Sequence, residues 1–187
     1  MNIKVWASVI GGLMLASGAQ ATEFTSIQND KSSLHFVYKQ MGVPVDGSFN
    51  KFNAQLAFDP SKPANAKVDF ELNLASIDAG SDEANDEVSG KSWFNTKVYP
   101  KATFASTAVK QLAANRYEVS GKMTIKGRTQ MITAPFTFTP QGNTAKVDGS
   151  FVLKRSEFAI GEGMWADFGT VANEIQINFH FLANASK

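Results

Sequence analysis

The chain has 187 residues, 43% of them apolar, which is enough for one domain with a substantial core. It has no cysteine, so disulfides, a thiol nucleophile and thiolate metal sites are excluded. Its 18 Lys and Arg stand against 17 Asp and Glu, an interspersed balance that argues against nucleic acid or an anionic membrane as the main partner.

The first 21 residues read as a secretory leader. Lys4 opens it, Val5 to Ala16 form its apolar part, and Ala19-Gln20-Ala21 offers a small-x-small cleavage site. The apolar part is shorter than the ~20 residues of a membrane span. No Cys follows it, so a lipoprotein anchor is not expected. Cleavage after Ala21 removes Lys4 and no acid, and leaves one neutral domain over 22–187 that contains all 15 Phe. An exported, periplasmic protein is the expectation.

Along that domain apolar and polar residues alternate with the period of a strand. The expected strands are Thr25–Gln28, Ser33–Lys39, Gly47–Asp59, Ala66–Ser76, Ala102–Leu112, Arg116–Lys126, Thr129–Thr139, Thr144–Lys154 and Val171–Ala183. Turn-forming clusters such as Asp59-Pro60-Ser61-Lys62-Pro63 and Pro140-Gln141-Gly142-Asn143 punctuate them. Phe49 and Phe52 break the alternation by one residue, which predicts a bulge in a bent strand. Gly121 and Gly149 fall on apolar faces and mark bending or close approach. Between the fourth and fifth strands, Ser81 to Gly90 predicts a short helix. Ser81 can cap it, Asp82 and Glu83 suit its positive end, and Gly90 can stop it. Gly161 to Gly169, with Trp165 and Phe168, is an aromatic, glycine-rich loop of the kind that covers a barrel mouth.

This pattern is all-β: an antiparallel barrel or sandwich with one short helix. About eight strands close a barrel that either fills with its own side chains or holds one small ligand. The expected inner positions are Phe36, Phe52, Ala54, Leu56, Phe70, Leu72, Ala102, Phe104, Ala108, Met123, Ile125, Ala134, Phe136, Phe138, Phe151 and Leu153. Composition leaves both outcomes open, because a solid core and a hollow one use the same residue types.

Chemistry is sparse. His35 and His180 lack visible partners for a metal or a triad, and no nucleophile elbow, phosphate loop or dinucleotide fingerprint occurs. The acids Asp82, Glu83, Asp86 and Glu87 lack a calcium-loop pattern and read as a solvated helix start. Arg155 has two readings, a surface pair with Glu157 or a contact for a polar headgroup. No cofactor and no metal are expected.

Several segments resemble the YceI family of exported bacterial proteins. They are Gly47-Ser48-Phe49-Asn50-Lys51-Phe52 with Phe58-Asp59, and Trp93-Phe94-Asn95 with Tyr99-Pro100 and Phe104. Tyr117-x-Val119-x-Gly121-x-Met123-Thr124-Ile125-x-Gly127, Arg155-Ser156-Glu157-Phe158-Ala159-Ile160-Gly161 and Val171…Ile175-x-Ile177 complete the match, in order, over nearly all of the domain. Two positions depart from the family pattern. Lys126 replaces a frequent His before the hairpin Gly, and Asn85-Asp86-Glu87-Val88 replaces Arg-Asp-x-His.

The resemblance implies an eight-stranded, lipocalin-like antiparallel barrel around a long apolar pocket for polyisoprenoid or similar amphiphilic chains. The expected ligand-lining residues are then Phe36, Phe52, Leu56, Phe70, Leu72, Phe104, Met123, Ile125, Phe136, Phe138 and Phe151, with Phe158, Trp165, Ile177 and Phe179. Trp165 with the Ser81–Trp93 segment is the expected lid. The expected partner is a long-chain isoprenoid or other amphiphilic lipid, not nucleic acid, with transient membrane or envelope-protein contact and homodimer formation left open. The rival readings are a small-barrel enzyme with an acid or base inside the lumen, and an interaction or stress-response module with a filled core that serves a membrane redox partner.

Overall fold

The computed structural model describes residues 22–186. The expected leader lies outside the described residues. Eleven strand segments form one sheet: β1 (Phe24–Ile27), β2 (Ser33–Gln40), β3 (Val43–Phe49), β4 (Phe52–Phe58), β5 (Lys67–Asn73), β6 (Ile77–Asp78), β7 (Lys101–Ala113), β8 (Arg116–Ile125), β9 (Arg128–Gln141), β10 (Thr144–Lys154) and β11 (Glu174–Ala185). One helix, α1 (Asp82–Ser89), stands between β6 and β7.

The segments make eight staves, because β1 and β2, β3 and β4, and β5 and β6 are each one long strand interrupted by a short irregularity. Each stave pairs antiparallel with the next. The last closes on the first, with His180 opposite Ser33 and Ala183 opposite Ile27. The result is a closed antiparallel β-barrel of eight strands with one short helix. The β9–β10 ladder ends at Phe136 and Gly149, so Arg128–Pro135 and Ser150–Lys154 do not pair with each other. Among the described residues, no helix is long and apolar enough to cross a membrane.

Local sequence explains the main turns and caps. Gln40 pairs with Val43 across Met41-Gly42, both at positive φ, the tight turn that suits a twisted hairpin. Ser81 caps α1 by accepting the Ala84 N–H, and Gly90 follows its last turn. Gly121 and Gly149 sit where a Cβ would overlap the rings of Phe104 and Phe179, so both are sites of close approach.

Two details differ from the sequence reading. The Phe49/Phe52 irregularity is a break between β3 and β4 instead of a bulge: Asn50 donates its N–H to Ser76 O, and Lys51 O accepts from Asn73. Register shifts lie instead in β1, between Phe24 and Ser26, and in β7, between Gln111 and Ala113 and between Ser106 and Ala108. The last of these moves the inner face by one residue, so Val109, not Ala108, faces the interior.

Inside the barrel the apolar residues divide into two clusters. One end is packed by Phe24, Phe58, Val109, Tyr117, Phe138, Ala145 and Ala183, none more than 4% exposed. The rings of Phe58 and Phe138 lie 4.7 Å apart and those of Phe24 and Phe138 4.9 Å apart. The other cluster rises toward α1 and the β10–β11 loop and includes Phe36, Phe49, Leu74, Trp93 and Phe158.

Candidate functional site

Between the clusters the barrel is hollow. A cavity of ≈ 650 Å³ runs from Phe58, Val109 and Phe138 to Ser81, Glu83 and Glu87 beside α1. That volume falls within the roughly 300–1,000 Å³ of small-molecule pockets. Alternation builds the lining. Phe70 and Leu72 of β5, Phe104 of β7, Met123 and Ile125 of β8, Phe136 and Phe138 of β9, Phe151 of β10, and Ile177 and Phe179 of β11 all turn inward. Phe36, Leu56 and Trp165 complete the part of the lining expected from sequence.

Two expected residues are elsewhere. Phe52 does not line the cavity. On the same face of β4 as Ala54 and Leu56, it packs against the lining rings of Phe70 and Phe181, with centroids 5.6 Å apart in each case. Phe158, on the short 3-10 turn Arg155–Phe158, is 0% exposed and belongs to the packed core. Sequence reasoning missed Leu34, Phe49, Ile132, Ile160, Phe181 and Trp93 as lining residues. Phe181 had a signal, since it continues the alternation of Ile177 and Phe179. Trp93 lies outside any strand, and its signals were its place at the end of the expected lid segment and in the Trp93-Phe94-Asn95 motif.

The mouth is polar where the cavity is not. Arg155 is 1% exposed and, among the described residues, pairs with no carboxylate. All five of its N–H groups donate to backbone carbonyls. Nε reaches Ala172 O at 3.1 Å, and Nη1 reaches Ile160 O and Gly161 O, each at 2.9 Å. Nη2 reaches Trp165 O and Val171 O, each at 2.7 Å. The guanidinium also lies 5.5 Å from the Trp93 ring centroid and 5.2 Å from that of Phe168. Burial pushes its pKa below the ordinary value. A Cβ on Gly161 would overlap Nη1, which explains the glycine at that point of the motif. Arg155 therefore neither pairs with Glu157 nor has a donor free for a headgroup. It is the staple that folds the β10–β11 loop over the barrel end.

The loop then meets α1. Trp165 Nε1–H donates to Glu87 Oε1 at 2.7 Å, and the Trp93 and Trp165 rings lie 5.5 Å apart. On the opposite side, Lys126 Nζ donates to Ala159 O at 2.7 Å and to Glu162 Oε2 at 2.9 Å. That bond and the ammonium charge hold the Glu162 carboxyl below its usual range. Met41 N–H donates to Thr170 O, which joins the β2–β3 hairpin to the same loop. Met41, Val43, Met164 and Phe168 are exposed there.

His35 and His180 lie on the outer face, away from the cavity, with His180 bonded to Asp148. Among the described residues no three His, Cys, Asp or Glu side chains gather as a metal site.

Comparison with known proteins agrees with this geometry. Residues 26–183 match the model of the YceI-like domain, and the chain belongs to that family. A UPF0312 protein of Yersinia enterocolitica is 32% identical, over 94% of each chain. The crystal structure of Burkholderia cenocepacia BcnA is 44% identical, with a TM-score of 0.82 over 84% of this chain and 99% of that one. A polyisoprenoid binding domain from Saccharophagus degradans, implicated in plant cell wall breakdown, shares the fold. Its TM-score is 0.66 at 15% identity, over 89% of this chain and 99% of that one.

Proposed function

We propose that this YceI-like barrel is a periplasmic carrier or store for a long-chain isoprenoid or similar amphiphilic lipid, and that it is not an enzyme. The observation that carries the reading is the elongated apolar cavity, closed by aromatic packing at one end and bordered by polar groups only at the other. The leader read in the sequence supports export, and the distant relative named for polyisoprenoid binding supports the ligand class.

The energetics suit such a ligand. Each buried CH₂ contributes about 0.8 kcal/mol, so a chain of about 20 carbons gains on the order of 16 kcal/mol gross. Lost motion of chain and protein offsets much of that gain. Tight binding needs no ion pair, which fits a lining with almost no charge. The enzyme reading needs an acid or base within the lumen. Both His face outward instead, and the charged groups of the lining, Glu83, Glu87 and Arg155, are all at the mouth. The exposed apolar rim of Met41, Val43, Met164 and Phe168 suits transient contact with a membrane during loading.

Phe136→Asp tests the reading by placing a carboxylate in the cavity wall. Titration of a fluorescent prenyl probe should show saturable uptake by the unaltered protein and none by the variant. Undiminished uptake by a folded variant contradicts an interior binding site.

A further inference from the structure

The barrel wall is not bonded along its whole height. β9 and β10 pair from Gln141 and Thr144 to Phe136 and Gly149, and no further. Both strands continue past that point, β9 paired with β8 as far as Arg128 and β10 with β11 as far as Lys154. Backbone direction shows which groups face the gap. Phe138 donates its N–H to Asn115 O on the β8 side, so the alternate residues Thr129, Met131, Thr133 and Pro135 face β10. Arg155 donates its N–H to Asn173 O on the β11 side, so Val152 and Lys154 face β9. Pro135 has no N–H to offer β10, and the ladder stops beside it. Beyond it, among the described residues, Met131, Thr133 and Val152 have no strand partner across the gap.

The seam is closed by side chains instead. Ile132, Ala134, Phe151 and Leu153 border it on the inside and line the cavity. Met131 and Val152 border it on the outside, 59% and 49% exposed. The seam runs toward the mouth, where two bonds bridge it. Gln130 Nε2 donates to Glu157 O at 3.3 Å, and Lys126 Nζ donates to Ala159 O at 2.7 Å. Parting a ladder breaks every backbone bond along it, whereas parting this seam separates side chains and breaks bonds near solvent.

We propose that the β9–β10 seam is a lateral slot, through which the apolar chain of the ligand enters and leaves the lumen sideways while its polar end moves along the mouth. The inference rests on the lipid-carrier reading and adds the route. Cavity-lining side chains continue through the gap to exposed apolar lips, so the occupant that fits is the ligand's own chain. A slot spares a long chain from being drawn end-first through water and past the polar rim.

The chain has no Cys, so one engineered disulfide has no competitor. Carried three residues beyond Phe136 and Gly149, the register sets Thr133 opposite Val152. Thr133→Cys with Val152→Cys therefore staples the seam when oxidised. Stopped-flow transfer of a fluorescent geranylgeraniol from phosphatidylcholine vesicles should slow at least about tenfold in the oxidised protein, in both directions, and recover on reduction. Pro135→Thr restores the N–H that faces β10 and decides the question where the cysteines do not join. It should slow transfer by about threefold to tenfold, the effect of one added backbone bond. In the unaltered protein the amides of Met131, Thr133 and Val152 should exchange hydrogen at least about tenfold faster than those of Ile132, Ala134 and Leu153. Equal protection means that these edges are bonded, to each other or to a second copy, and overturns the inference alone. Transfer at an unchanged rate through the stapled or extended seam does the same. A protein that takes up no probe overturns the lipid-carrier reading and the slot with it.

Discussion

The two ends of the barrel are closed by different physics. At one end Phe24, Phe58, Tyr117 and Phe138 interlock as rings, and closure is a matter of volume. At the other, a loop is held by five bonds from one guanidinium to carbonyls, by a Lys126–Glu162 pair and by an indole on Glu87. Packed rings have no second arrangement of similar energy. Hydrogen bonds near solvent exchange with water at little net cost. The difference assigns rigidity to the plug and adjustment to the mouth. Within the mouth it separates a buried anchor, Arg155, from a removable cover, Trp165 and Glu87.

The largest expected effect comes from the anchor. Arg155→Ala strands five carbonyls in a buried loop and should cost of order 5 kcal/mol in urea unfolding. Phe138→Ala opens a cavity in the plug and should cost about 3–4 kcal/mol. Their local signatures should differ. Limited proteolysis should cut the β10–β11 loop in the first variant and spare it in the second. Equal sensitivity of that loop in both would erase the distinction between the ends.

The cover should affect rates more than stability. Trp165→Ala removes the indole from Glu87 and should change stability by less than about 1 kcal/mol, since the bond is exposed. It should raise the ligand off-rate by about tenfold. Stopped-flow displacement measures this, and an unchanged off-rate means that Trp165 does not gate the cavity.

The smallest effect is acidic. Glu162 has a folded pKa below its unfolded value of about 4.3, set first by the bond from Lys126. Its contribution is complete above that unfolded value and is lost as the pH falls through the lower folded one. Hydrogen exchange of residues 159–165 should therefore rise below about pH 4. Lys126→Gln should abolish the rise.

Much of this was legible before the fold was known, and the gaps have physical causes. Alternation identified the inward faces of β5, β8, β9 and β11, because a strand sends successive side chains to opposite sides. It could not say whether those faces meet or leave space. That depends on barrel closure, which joins residues as distant as Ile27 and Ala183. The break at Phe49/Phe52 was visible, but a bulge and a strand break shift the alternation by the same one residue. The β7 shift between Ser106 and Ala108 left no trace, since Ala105, Ser106 and Ala108 are small on either face. Arg155 was misread because its nearest acid in sequence is Glu157, whereas several of its acceptors lie at Trp165, Val171 and Ala172. Phe158 was misread with it, because the turn that buries its ring is built by that staple.

The central claim, that the barrel interior holds an apolar chain, is tested most directly by organic extraction of the protein purified from its native host, followed by mass spectrometry. The account predicts a long-chain amphiphile at close to one per protein, lost in Phe136→Asp. Extracts no different from a buffer control, from protein that also refuses added prenyl chains, would contradict it.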